Sequence, residues 1–156
     1  MVKRIAVFTG SRAEYGLLKP VIRALRADRT FSVSLVVSGM HLSSEFGQTY
    51  REIEADRLPI AEKIEILLSS DTSVGTAKAM ALGLISFSEA FARLKPDLLI
   101  GLGDRFEWFA AASAAMVSRI PIAHIHGGEA TLGVVDDAIR HAVTKMAQLH
   151  FTSTAL

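Results

Sequence analysis

Residues 98–125 read LLIGLGDRFEWFAAASAAMVSRIPIAHI, and they decide the fold of this 156-residue chain. Leu98–Leu102 and Ile120–Ile125 are short apolar runs that predict two buried strands. Phe106–Val117, which lies between them, is rich in alanine and predicts a helix. A strand, a helix and a second strand of this kind favour two parallel strands joined by a crossover helix.

The same alternation runs through the whole chain. Further strands are predicted at Ile5–Thr9, Val33–Val37, Lys63–Leu67 and His150–Thr152. Further helices are predicted at Leu17–Leu25, near residues 43–56, at Val74–Leu94 and at Asp137–Ala147, with Pro20 close enough to the start of its helix to be tolerated. Apolar strands that alternate with helices predict an α/β fold, a doubly wound, Rossmann-like parallel sheet with helices on both faces. We expect residues 1–156 to form one domain.

Composition excludes several classes of protein. Half of the residues are hydrophobic, which is enough for the core of one domain, and the net charge of +1 argues against a nucleic-acid-binding surface. The chain has no cysteine, so disulfides, thiolate zinc sites and a thiol nucleophile are excluded. No apolar stretch approaches the roughly 18 residues of a membrane span. We expect a cytoplasmic protein without membrane or nucleic-acid partners.

Glycine and polar residues follow four of the predicted strands. The stretches are Gly10-Ser11-Arg12, Gly39-Met40-His41, Gly103-Asp104-Arg105 and His126-Gly127-Gly128-Glu129. Ligands of doubly wound sheets bind beyond the carboxyl ends of the strands, where the strand order reverses. These loops are therefore the predicted ligand site.

The densest cluster of charge lies in residues 121–144, which read PIAHIHGGEATLGVVDDAIRHAVT. Six ionisable side chains occur within sixteen residues: His126, Glu129, Asp136, Asp137, Arg140 and His141. A purely structural turn needs the glycines and one helix cap, but it does not need this charge density. The stretch is therefore predicted to carry chemistry.

Structural explanations compete with functional ones for the charged residues. Asp104 and Asp136 are each suited to cap a helix N-terminus. Asp136 with Arg140, and Asp137 with His141, are spaced as ordinary i,i+4 helix pairs. Arg12 either pairs with Glu14 at the surface or faces a diphosphate near a helix N-terminus.

The histidines divide in the same way. His126 directly precedes the Gly-Gly turn and favours a functional role, whereas the other four, His41, His124, His141 and His150, favour structural ones. A metal site made from His126, Glu129 and an aspartate lacks any clear ligand spacing. No metal is expected.

Six motifs together resemble the hydrolysing, non-phosphorylating UDP-N-acetylglucosamine 2-epimerases of sialic-acid and capsule-sugar biosynthesis. They are TGSRAEYG (9–16), SGMHL (38–42), LKPD (94–97), GDRFE (103–107), HIHGGEAT (124–131) and DDAIRHAVTK (136–145). The resemblance implies the N-terminal half of a glycosyltransferase-B-like fold, with a C-terminal UDP-binding domain absent from this chain. The chain alone is then expected to fold but to be inactive.

The resemblance also implies a reaction, in which UDP is eliminated from UDP-N-acetylglucosamine and the resulting 2-acetamidoglucal is hydrated to N-acetylmannosamine. It implies acid–base roles for Asp104, Glu129 and Asp136, with His126 and Asp137 as helpers. Substrate binding falls to Gly10, Arg12, His41 and Arg140, and no cofactor is expected. Close relatives carry Glu where this chain has His126, so the role of that position stays open beside Glu129.

Two rival functions remain at this point. One is half of a nucleotide-sugar glycosyltransferase, since that fold is shared, and the other is a non-catalytic binding or dimerisation domain. The resemblance implies a homodimer, and Val74–Leu94 and Phe106–Val117 carry little charge. We therefore expect a homodimer, or exposed apolar surface on such helices where the missing domain would dock.

Overall fold

The sheet has six parallel strands, and its order is that of a Rossmann-like fold. A computed structural model describes residues 2–131 and 134–153. The strands are β1 (Lys3–Thr9), β2 (Phe31–Ser38), β3 (Ile60–Ile64), β4 (Leu98–Leu102), β5 (Ile122–Ile125) and β6 (Leu149–Phe151), in the order β3-β2-β1-β4-β5-β6. The order reverses between β1 and β4, so a crevice opens there at the carboxyl ends of the strands. The predicted fold class is confirmed.

Helices cover both faces of this sheet. They are α1 (Arg12–Ala27), α2 (Tyr50–Ala55), α3 (Ser73–Leu94), α4 (Phe106–Val117) and α5 (Val135–Met146). One core contains Ile5 and Val7 and packs against α1 and α2, and the other contains Ala6 and Phe8 and packs against α3 and α4. Burial on both faces explains why β1 is an uninterrupted apolar run. None of the helices in the described part of the chain has the length and apolar content needed to cross a membrane.

Two predicted helix boundaries are wrong for local reasons. Helix α1 begins at Arg12 and not at Leu17, because Ser11 and Glu14 form a capping box: the Ser11 side chain accepts from Glu14 N–H while Glu14 accepts from Ser11 N–H. Pro20 consequently lies inside the helix and not near its start. The helix predicted at 43–56 shrinks to α2, because residues 47 and 48 have positive φ angles of 80° and 49° that helical backbone excludes.

The third strand is displaced from its predicted position at Lys63–Leu67. It lies at the sheet edge and includes the charged Glu62 and Lys63, which an edge strand tolerates because one side faces solvent. The apolar Ile66 and Leu67 follow the strand and line a cleft. Hydrophobicity alone therefore placed the strand too late.

Helices α3 and α4 differ in exposure, although the sequence predicts apolar surface on both. Most of α4 is buried in the core, and only its last two residues, Met116 and Val117, are exposed. By contrast, α3 exposes Val74, Leu82 and Ile85 along its length. Phe106–Val117 offers little exposed apolar surface because α4 packs against α3, α5 and the sheet.

Candidate functional site at the carboxyl edge of the sheet

An ion pair between Asp104 and Arg140 joins the loop after β4 to helix α5. The Arg140 Nη2 donates to Asp104 Oδ2, and Nη1 donates to the Glu129 carbonyl oxygen and to Thr131 Oγ1, both at 3.2 Å. Arg140 is 8% exposed. Its guanidinium therefore ties together the loops after β4 and β5, and the prediction that these loops meet at one edge is confirmed.

The loop after β5 holds His126 and Glu129 side by side. His126 has a φ of 62°, which a residue with a β-carbon adopts at some cost, and its N–H donates to the Phe151 carbonyl at 2.8 Å. His126 Nε2 lies 3.5 Å from Glu129 Oε2, and Ser153 donates to Glu129 Oε1. Both side chains are partly exposed, so they can reach a ligand.

A buried histidine, His124, supports this loop from below. Its Nε2 lies 2.7 Å from the Gly103 carbonyl and its Nδ1 lies 3.1 Å from Thr144 Oγ1, and the same hydroxyl oxygen accepts from Gly128 N–H. Burial lowers the pKa of His124, so we assign a neutral ring that donates from Nε2 and accepts at Nδ1. The structural role predicted for His124 is confirmed.

The acidic pair on α5 does not cap the helix. The N-cap position is Val134 and makes no side-chain capping bond, so the capping interpretation of Asp136 is wrong. Asp137 Oδ1 accepts from Thr131 N–H at 2.6 Å and lies 3.7 Å from His141 Nε2, as the i,i+4 spacing predicts.

The other capping and pairing alternatives are also wrong. The residue at the N-cap of α4 is Arg105, and Asp104 lies outside that helix. Arg140 pairs with Asp104 and not with Asp136, because α5 packs beside the β4 loop. Arg12 pairs with Glu52 at 3.0 Å instead of Glu14, because Glu14 turns back to cap its own helix.

His41 lies in the interior, between two threonines. Its Nε2 lies 3.0 Å from Thr9 Oγ1 and its Nδ1 lies 2.8 Å from Thr49 Oγ1. Burial lowers the pKa of His41 to about 4. Direct substrate binding by His41, which the resemblance implies, stays a prediction, and the ring as placed braces the loop after β2.

The sequence predicted no site role for Glu14, Arg105 or Glu107, yet they form a charge cluster in which both carboxylates are buried and Arg105 is partly exposed. Arg105 forms a bidentate ion pair with Glu107, in which Nη2 lies 2.9 Å from Oε1 and Nε lies 3.2 Å from Oε2. Arg105 Nε also lies 3.9 Å from Glu14 Oε1. The residues occur in two of the quoted motifs, but nothing in their spacing indicates that they meet, because 91 positions separate Glu14 from Arg105.

Burial acts strongly on this cluster. Glu14 is 6% exposed, and burial raises its pKa to about 7, against hydrogen bonds from Gly10 and Ser11 N–H. Burial alone would lower the pKa of Arg105, but hydrogen bonding to Glu107 raises it. Arg105 also lies within electrostatic range of Asp136. It is the cation common to the loops after β1 and β4 and to helix α5.

Two open clefts border Arg105. One cleft, of about 560 Å³, lies beyond β2 and β3, and the residues that line it include Met40, Glu65, Asp71 and Phe106. The other cleft, of about 680 Å³, lies at the start of α1 and is lined by Ser11, Arg12 and Leu17. The clefts offer room for a ligand beside the cations Arg12 and Arg105, whereas Asp104, Glu129 and Asp136 are not among the residues that line either cleft.

A family model described as UDP-N-acetylglucosamine 2-epimerase matches residues 23–156. The chain is 43% identical over 151 residues to the GDP/UDP-N,N'-diacetylbacillosamine 2-epimerase (hydrolyzing) of Campylobacter jejuni subsp. jejuni serotype O:2, covering 97% of this chain and 39% of the relative. It is 40% identical over 154 residues to the UDP-N,N'-diacetylbacillosamine 2-epimerase (hydrolyzing) of Legionella pneumophila subsp. pneumophila, covering 99% and 41%. The chain therefore spans about two fifths of the length of these relatives.

A solved structure supports the fold. The UDP-GlcNAc 2-epimerase from Neisseria meningitidis, bound to UDP-GlcNAc, superposes with a TM-score of 0.82 at 22% identity. The superposition covers 97% of this chain and 40% of the other. At that identity the likeness concerns the fold alone.

Proposed function

This chain belongs to the UDP-N-acetylglucosamine 2-epimerase family, and we propose that it is the N-terminal domain of a hydrolysing member. The proposed reaction converts UDP-N-acetylglucosamine and water into UDP and N-acetylmannosamine. The observation that carries this proposal is the junction of Asp104, Arg140 and the Glu129 loop at the edge where the strand order reverses. That junction puts carboxylates and a cation where doubly wound sheets bind ligands.

The chemistry requires both a base and an acid. In the first step a carboxylate takes the proton from C2 while the C1–O bond breaks and its electron pair leaves with UDP. In the second step water adds its oxygen to C1 of the 2-acetamidoglucal and a proton returns to C2 on the opposite face. We propose that Asp104, Glu129 and Asp136 divide these proton transfers, with His126 and Asp137 assisting.

Binding of the diphosphate needs cations that are free to face it. Arg12 is well exposed and pairs with Glu52 at the surface, while Arg140 is engaged with Asp104. Arg105 borders both clefts. We therefore propose that Arg12 and Arg105 meet the diphosphate beside Gly10, and that Arg140 acts mainly by holding Asp104 and the Glu129 loop.

A second domain completes the site in this proposal. The relatives are about two and a half times as long as this chain, and the clefts beside Arg105 are open to solvent. We propose that a C-terminal domain grips UDP across these clefts. The names of the two relatives make UDP-N,N'-diacetylbacillosamine a second candidate substrate.

The test compares the chain alone with a chimera in which it replaces the matching residues of the Campylobacter relative. Each protein is incubated with UDP-N-acetylglucosamine and with UDP-N,N'-diacetylbacillosamine, and free UDP and free sugar are measured. We expect turnover by the chimera and none by the chain alone. Sugar transfer to an acceptor instead of water would favour a glycosyltransferase, and UDP-sugar binding without turnover in either protein would favour a binding domain.

Substitutions in the active chimera test the residue roles. Asp104→Asn and Glu129→Gln should each lower kcat about 10²- to 10⁴-fold, the usual range for lost acid–base catalysis, with a smaller change in KM. The control is Glu62→Gln, which removes a pair with Arg93 at a position that lines neither cleft, so it should leave kcat unchanged. Near-normal kcat in both site variants would overturn the assigned roles.

We also propose that two copies of the chain associate through α3, in the cytoplasm. Val74 is 62% exposed and Ile85 is 58% exposed, and Leu82 lies between them in sequence on the same helix. Exposed apolar side chains outnumber the charged Lys78, Glu89 and Arg93 on the outward side of α3, which favours a partner that covers this side. The family resemblance favours a second copy of this chain as the partner that covers α3.

A further inference from the structure

The side chain of Glu107 is fully buried although it carries a carboxylate. Both of its oxygens face the Arg105 guanidinium, at 2.9 and 3.2 Å, and no other hydrogen bond to them is found among the described residues. A planar guanidinium held at two of its nitrogens has a fixed direction. The remaining face of Arg105, whose side chain is 36% exposed, borders the two clefts.

A second buried carboxylate approaches the same cation. Glu14 Oε2 accepts from Gly10 N–H at 2.7 Å and Ser11 N–H at 3.2 Å, while Glu14 Oε1 is buried without a hydrogen-bond partner and lies 3.9 Å from Arg105 Nε. Glu14 therefore connects the loop after β1 to Arg105. The Arg105 guanidinium thus lies close to two buried carboxylates, those of Glu14 and Glu107.

The loop after β2 closes over this cluster as well. Gly39 has a φ of 59°, and a β-carbon there would lie 2.9 Å from both Glu107 Oε1 and the Gly10 carbonyl. The loops after β1, β2 and β4 are thus packed around one ion pair. Any shift of Arg105 would disturb all three loops that border the clefts.

Stability alone does not account for burying Glu107. Desolvation of a buried carboxylate offsets much of its attraction to a cation, and an apolar residue of the same volume often stabilises a fold at least as well. Helix capping explains the position of Glu14 Oε2, but it does not explain Glu107. What the pair does supply is a guanidinium with a defined orientation beside the clefts.

We propose that Glu107 is a positioning residue for Arg105: it aims the guanidinium at an anionic ligand in the clefts, and Glu14 couples that orientation to the loop after β1. The identity of the anion as a nucleoside diphosphate rests on the proposed function. The positioning itself rests on the contacts of Glu107 and Arg105 and can be tested without any ligand.

The ligand-free test measures hydrogen exchange at Arg105 Nε–H by ¹⁵N NMR in the wild-type chain and in Glu107→Gln. In the wild-type chain, the hydrogen-bonded Nε–H is expected to exchange slowly. We expect Glu107→Gln to accelerate this exchange about tenfold, because a tenfold change corresponds to the loss of one hydrogen bond between charged groups. Glu62→Gln is the matched control, because Glu62 chelates Arg93 at 3.0 Å on an exposed surface. Unchanged exchange at Arg105 in Glu107→Gln would overturn the proposal.

The ligand test measures UDP binding by calorimetry as a double-mutant cycle. Glu107→Gln should weaken binding about tenfold in the wild-type background and less than about twofold in the Arg105→Lys background, if Glu107 acts only through Arg105. An equal loss in both backgrounds would indicate a merely structural role and overturn the proposal. If Glu107→Gln does not fold, Glu107→Asp keeps the charge but is too short to chelate, and the same outcomes apply.

The two proposals fail in different ways. A wild-type chain that binds no UDP contradicts nucleotide binding by this domain alone, and the exchange rate of Arg105 Nε–H then decides the positioning role. Slow exchange that depends on Glu107 would support positioning of Arg105 even then. Exchange that is independent of Glu107 would overturn it whether or not UDP binds.

Discussion

Replacing Glu14 with glutamine should remove a pH dependence of stability that the wild-type chain carries. Burial raises the pKa of Glu14 from 4.5 to about 7, so between these values the folded chain holds a proton that the unfolded chain releases. The free energy of unfolding therefore falls as the pH rises through this window. At about 1.4 kcal/mol for each pKa unit, the loss amounts to about 3 kcal/mol.

The glutamine variant is suited to isolate this effect. Its amide oxygen still accepts from Gly10 and Ser11 N–H, so the start of α1 is preserved, but no charge is buried at high pH. Urea unfolding at about pH 4 and about pH 8 gives the free energy of unfolding of both proteins. Relative to wild type, Glu14→Gln should be about 3 kcal/mol more stable at the higher pH than at the lower pH.

Other titrating groups are common to both proteins. Burial lowers the pKa of His41 to about 4 from 6.5, and the stability linked to it is lost as the pH falls through that window, opposite in sign to Glu14. The difference between wild type and variant cancels this contribution. Glu52→Gln, which removes an exposed partner of Arg12, is the control, and its free energy of unfolding should change with pH as that of the wild-type chain does. If the free energy of unfolding changed equally with pH in the wild-type chain and in Glu14→Gln, the reasoning would be refuted.

Two further outcomes follow from packing. A β-carbon at Gly101 would overlap the buried ring of Trp108, so Gly101→Ala should lower the free energy of unfolding by about 1–3 kcal/mol. Gly16 lies on the exposed side of α1, and a β-carbon there would have no atom within 4 Å. Gly16→Ala should therefore raise the free energy of unfolding by about 0.5–1 kcal/mol. Urea unfolding measures both, and equal effects would contradict the packing argument. Ile85→Glu on α3 should convert a dimer to a monomer in light scattering, and Val117→Glu at the end of α4, where the side chain is even more exposed, should not. A dimer that survives Ile85→Glu would exclude this face.

The elements that the sequence placed well are those whose signal is local. The bounds of β4 and α4 are as predicted, because a continuous apolar run and an alanine-rich run differ in pattern and each is buried along most of its length. The start of α1 was also available in principle, since Ser11 followed by Glu14 is a capping-box pattern. Edge strand β3 was harder, because solvent on one side relaxes the demand for apolar residues.

Hydrophobic pattern and turn residues thus determined by themselves that this chain forms a parallel α/β sheet with charged loops at one edge, because strand and helix periodicity are local properties. Only the tertiary structure decided which charges meet. Arg140 could pair with Asp136 one turn away, but packing of α5 beside the β4 loop gives it Asp104, 36 positions distant. Likewise the burial of His41 and the convergence of Glu14 on Arg105 depend on which loops become neighbours, since desolvation and ion pairing are set by surroundings that no local pattern records.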